Sequence, residues 1–227
     1  TSSKVLLLAA TVLLGVWLAI YGQAYQTGAD PFELFRGWAL LALPWVLLAR
    51  FPALWAFWLL LLNLWLGLWW NQAGNLDQNL LPWTFVALNG LAWLLWESLG
   101  GLFGWMSGRW LPRILGLATL GILLVPALGV VAEVHAHRAD PMAWTLPAAL
   151  ALGALMLFGF IRLRRDLFMV TLALAAFIAL LTTFLGQWLL QGAHGDGCGV
   201  AMLLGLLVVA QVGGASAWLR KLHQEVP

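Results

Sequence analysis

The chain has 227 residues, 63% of them apolar and only 9% charged, with a net charge of +2 and a mean hydropathy of +0.92. A soluble domain carries about 25% charged residues, so these few charges cannot cover a water-facing surface, and most of that surface must face lipid. Backbone in hydrocarbon must satisfy its own hydrogen bonds, which leaves helices or a closed barrel. The apolar runs here are continuous and lack the alternation of barrel strands, so the chain is all-α.

In chain order, runs of about 20 apolar residues, the length of a spanning helix, fall near 5–22, 32–49, 53–70, 82–99, 114–132, 143–161, 167–189 and 199–219. The first span ends in the turn-forming stretch Thr27-Gly28-Ala29-Asp30. Asp30-Pro31 opens the second, with proline in the first helical turn where its missing N–H costs nothing. Pro44 is expected to kink that span. The third span carries Trp55, Trp58, Trp65 and Trp69 near one face, at steps of three, seven and four. Such a stripe fills space against lipid or a partner helix, or grips a flat hydrophobic ligand. Trp55, Trp58 and Trp65 are its candidate partner-binding surface.

Leu81-Pro82 opens the fourth span, and Pro126 should kink the fifth. The sixth and eighth contain small residues at helix-packing spacing: Ala149 and Gly153, Ala210 and Gly214, Gly213 and Ala217. All links between spans are short. The predicted architecture is a polytopic transmembrane helical bundle of about eight spans, forming one domain over residues 1–227. The chain starts at Thr1 without methionine and without a signal-peptide pattern, which points to an upstream segment of the gene product.

Charge sets the expected orientation. On the side holding the N-terminus lie Lys4, Arg50, Arg109, Arg113, Arg162, Arg164, Arg165, Arg220 and Lys221, against Arg36 and Arg138 on the other. With loops this short the positive-inside rule puts both termini in the cytoplasm. The excess of basic residues therefore reports topology rather than nucleic-acid binding. Of the sixteen tryptophans, Trp38, Trp69, Trp70, Trp83, Trp96, Trp105, Trp110, Trp144, Trp188 and Trp218 fall near span ends and suggest an aromatic belt.

No span holds an ionisable residue at its centre, as ion-coupled transporters usually do. The middles contain Asn63, Asn89, Thr119, Thr182, Thr183 and Gln211. Interhelical hydrogen bonds worth about 0.6 kcal/mol each account for such groups. Alternatively, Asn63, Asn89, Thr182 and Thr183 line a pore for a small uncharged solute. Two outer-face loops hold alternating ligand-type residues, Glu133, His135 and His137 in one and His194, Asp196 and Cys198 in the other. Imidazole and carboxylate together suit zinc or copper, so His135, His137, His194 and Asp196 are candidate metal ligands, although the spacing matches no recognised signature. The sequence has no glycine-rich phosphate loop and no haem-attachment, zinc-protease or nucleophile-elbow motif. One cysteine excludes an intrachain disulfide framework. No cofactor is expected.

Two stretches resemble a known family. Tyr21-Gly-Gln-Ala-Tyr-Gln-Thr-Gly-Ala-Asp30, running on through Pro31-Phe-Glu-Leu-Phe-Arg-Gly-Trp38 to Pro44-Trp45, is one. Arg164-Arg-Asp-Leu-Phe-Met169, leading into Leu181-Thr-Thr-Phe-Leu-Gly186, is the other. Both are similar to the bacterial membrane family of domain of unknown function 2157. That resemblance implies a multi-pass protein of the inner (cytoplasmic) membrane, with an N-terminal segment and further spans that this chain lacks. It implies no catalytic residue. The residues themselves favour a scaffold or accessory subunit that binds other membrane proteins. Behind it stand the solute transporter or channel, and then an outer-face metal-binding or enzymatic protein.

Overall fold

The computed structural model describes residues 2–24, 28, 30–74, 76–133, 142–192 and 197–224. Among these residues the only regular structure is helical. The long helices are α1 (Ser2–Ala24), α2 (Pro31–Ala49), α3 (Pro52–Gln72), α4 (Leu81–Leu99), α5 (Trp110–Glu133), α6 (Thr145–Arg162), α7 (Leu167–Gly192) and α8 (Gly197–Gln224). Short 3-10 turns at Gln78–Leu80 and Gly104–Met106 flank α4. All eight predicted spans are helices. Several, notably α8, run beyond the predicted ends, because a hydropathy window marks only the hydrocarbon crossing while a helix continues among the headgroups.

Among the described residues, seven of the helices are long and apolar enough to cross a membrane. The one that falls short is α4, whose tryptophans, Asn89 and Glu97 lower its mean hydropathy. Three of those polar-tipped side chains, Asn89, Trp93 and Trp96, are buried, so α4 turns its least lipid-like atoms inward.

The chain forms two compact units, residues 1–115 and 116–227. In the first, α1 packs on α2, α2 on α3 and α3 on α4, each against its sequence neighbour. The α2–α3 connection is two residues long. Arg50 caps α2 in the left-handed conformation (φ 48°), Phe51 is extended, and Pro52 starts α3. A left-handed non-glycine residue costs roughly 1–2 kcal/mol. The packing that the tight turn permits offsets it, because Ala42, Val46 and Leu54 form a fully buried cluster across the two helices. In the second unit α6 packs on α7 and α7 on α8. Asp166 precedes α7, and its carboxylate accepts from the Phe168 N–H at 3.1 Å, an N-cap contact. Gly153 lets the Phe177 ring approach α6, where an added Cβ would lie 3.1 Å from the ring.

Candidate functional site

A polar link between the first two helices begins at Thr11, which is fully buried. Its hydroxyl donates to the Leu7 carbonyl (2.7 Å) and accepts from Trp45 Nε1–H (2.9 Å). Its own carbonyl accepts from Trp38 Nε1–H at 2.8 Å. One turn on, the Trp38 ring covers Gly15 so closely that a methyl there would occupy the ring's space. A buried indole N–H without an acceptor is costly in hydrocarbon. Thr11 supplies acceptors to two of them and so fastens α1 to α2.

Trp58 continues the pattern. Its Nε1–H donates to the Ala39 carbonyl of α2 at 2.9 Å. Trp96 Nε1–H donates to the Met106 carbonyl at 3.2 Å. Trp38 and Trp96 therefore direct their N–H groups inward rather than to the expected belt, and Trp70 is buried although its Nε1 has no acceptor among the described residues. Trp110, Trp144, Trp188 and Trp218, by contrast, are exposed near helix ends, as belt residues should be.

Around Trp58 and Trp96 lies the feature most like a binding site. Trp55 meets Trp58 edge-on (centroids 5.8 Å, 81°) and Trp96 likewise (6.2 Å, 71°), while Trp105 stands edge-on to Trp96 (5.6 Å, 88°). Aromatic pairs prefer such offset and edge-to-face arrangements, which leave gaps that smaller side chains must fill. Here a cavity of about 380 Å³ remains between α3, α4 and the Gly104–Met106 turn. Leucines from both helices form its long walls and the tryptophans one end. Below the turn, the Arg109 guanidinium bonds the Glu97 carboxylate at 2.9 Å, tying the chain that follows α4 back onto that helix. Trp65, the third member of the stripe, is half-buried outside this cavity, and its Nε1 has no acceptor among the described residues.

Asn63 and Asn89 sit next to Leu62 and Leu88, the lining residues farthest from the turn. Asn89 Nδ2 donates to Asn63 Oδ1 (2.7 Å) and to the Phe85 carbonyl (2.9 Å). Asn63 Nδ2 donates to Asn89 Oδ1 (3.2 Å) and to the Leu59 carbonyl (2.7 Å). An amide has two N–H donors, and both donors of both residues are engaged. The pair cross-links α3 to α4.

In the second unit, Thr182 Oγ1 donates to Gln211 Oε1 at 3.1 Å, joining α7 to α8. Thr183 donates to the Ala179 carbonyl of its own helix at 2.9 Å. The two pairs of pore-lining candidates thus belong to different units. The metal-ligand candidates His135, His137, His194 and Asp196 lie outside the described residues, as does the Glu133 side chain; Cys198 is exposed at the start of α8.

Sequence reading missed Thr11, although two signals marked it. Gly15 interrupts a run of bulky residues one turn from Thr11, and Trp38 and Trp45 stand seven residues apart on one face of the next span.

Residues 1–55 match the family described as predicted membrane proteins, domain of unknown function 2157. The match takes in α1, α2 and the start of α3, hence Thr11, Gly15, Trp38 and Trp45, and it bears out the resemblance noted for the Tyr21–Trp45 stretch. The second stretch, from Arg164 to Gly186, lies outside the matched residues. No curated protein and no solved structure matches the chain.

Proposed function

We propose that this multi-spanning protein, whose first 55 residues carry the family's signature, is a non-enzymatic scaffold or accessory subunit of the bacterial inner membrane. Both termini lie in the cytoplasm, and it binds other membrane chains. The observation that supports this reading most is the surface of α8. Only 6% of its spanning stretch is buried, against 39% for α5. Along the exposed part run Leu206, Ala210, Gly213, Gly214 and Ala217, spaced to lie on one face. Helices associate in lipid where small residues let backbones approach closely. An exposed stripe of this kind, unoccupied within its own unit, suits the helix of another chain. Trp55, Trp58 and Trp65, the partner surface expected from sequence, are each partly buried in the first unit, and α8 offers the more exposed face.

A photo-crosslinking amino acid at position 206, irradiated in native membranes, tests the proposal. The expected result is an adduct with a second membrane protein that disappears with Gly214→Leu. No adduct, or an adduct composed only of two copies of this chain, would replace the scaffold reading.

A further inference from the structure

The tryptophan-ended cavity of the first unit is independent of α8. Its shape is informative. The lining follows α4 from Leu88 to Leu99, about 16 Å of helical rise, so its 380 Å³ form a long slot rather than a round chamber. Its walls are almost wholly hydrocarbon: the Trp58 and Trp96 N–H groups are bonded to Ala39 and Met106, and Trp55 Nε1 is buried without an acceptor among the described residues. An occupant makes no hydrogen bonds to Trp58 or Trp96. Leu91 and Leu95 both line the slot and are more than half exposed on α4, so it opens sideways, towards lipid.

Charge marks one end. The tryptophan end adjoins the α2–α3 and α4–α5 connections, whose residues and first flanking turns carry Arg50, Arg109 and Arg113 and one acid, Glu97, which bonds Arg109. The opposite end of the same unit carries Asp30, Glu33 and Asp77, with only Arg36. Basic clusters beside spanning helices recruit anionic headgroups.

We propose that the slot between α3 and α4 holds one acyl chain of an anionic phospholipid, whose phosphate sits at the arginine end. A slot of this volume lies within the usual range for small-ligand sites, about 300–1,000 Å³. The chain enters sideways between Leu91 and Leu95, and the headgroup stays at the membrane surface.

The test uses the full chain reconstituted in vesicles containing phosphatidylglycerol with a diazirine at the tip of one acyl chain. Identical vesicles carry the same chain on phosphatidylcholine. After irradiation, labelled peptides are mapped by mass spectrometry. Phosphatidylglycerol should label residues 88–99 at least fivefold more than phosphatidylcholine does. Ala92→Phe, which fills the slot from α4, should cut that label severalfold while labelling of α8 stays constant. Leu62→Phe, which fills it from α3, should do the same, so a folding defect in one variant does not decide the matter. Arg50→Gln with Arg113→Gln should bring the two lipids level. Label spread evenly over all exposed helices, or unchanged in both phenylalanine variants, overturns the site. Equal labelling by the two lipids in the unaltered chain overturns the headgroup.

Discussion

Thr11 shows how a single hydroxyl can organise a lipid-embedded interface. Alkyl side chains gain nothing from leaving lipid for another apolar surface, so helix pairs in a bilayer rely on close packing and on polar groups that lack any other partner. Among the described residues Trp45 Nε1–H donates to the Thr11 hydroxyl, and Trp38 approaches the same turn because Gly15 offers no side chain. Thr11→Val keeps the shape and removes the acceptor, leaving a buried donor unsatisfied. The expected loss is about 1–2 kcal/mol of stability, read as a lower midpoint in denaturant-induced unfolding in detergent. Thr11→Ser retains the hydroxyl and should stay close to the parent. A Val variant as stable as the parent would show that the indole finds another acceptor.

Between elements, the reciprocal Asn63–Asn89 pair links α3 to α4 through two side-chain hydrogen bonds. Replacing one asparagine by leucine strands the other amide in an apolar setting, whereas replacing both removes the need for a partner. Each single change should cost about 1–2 kcal/mol, and the double change distinctly less than the two combined, with a coupling of about 1 kcal/mol in a double-mutant cycle. Additive losses would mean that the two amides act separately, as water-facing pore residues do. The tight links at Arg50 and Arg165, both left-handed at φ 48° and 45°, serve the same neighbour-on-neighbour packing within each unit.

For the molecule as a whole, the proposed orientation rests on the division of basic residues between the two sides. In a Cys198→Ser background, Gly74→Cys should react with an impermeant thiol reagent added outside intact cells. Ser107→Cys should react only after lysis. These positions flank α4, the helix that falls short of the hydropathy criterion, so the pair also reports whether α4 crosses the bilayer. Labelling of Ser107→Cys from outside would overturn both the orientation and the eighth span.

Composition and run length alone determined the helical class, the number of long helices and their approximate limits, because hydrocarbon forbids unsatisfied backbone and leaves few alternatives. The same reading located Asn63 and Asn89 as mid-span amides. It had no means of pairing them, since their contact depends on how α3 and α4 are rotated about their axes. Tryptophan illustrates the limit most clearly. An indole near a span end suits an aromatic belt and an inward hydrogen bond equally well by position, and Trp110 and Trp96 do opposite things. Only the tertiary structure decided between them, because the outcome depends on whether an acceptor such as the Met106 or Ala39 carbonyl lies within reach of the ring nitrogen. The slot is of the same kind: its leucines and tryptophans are unremarkable in sequence, and the space between them exists only once two helices and a turn enclose it.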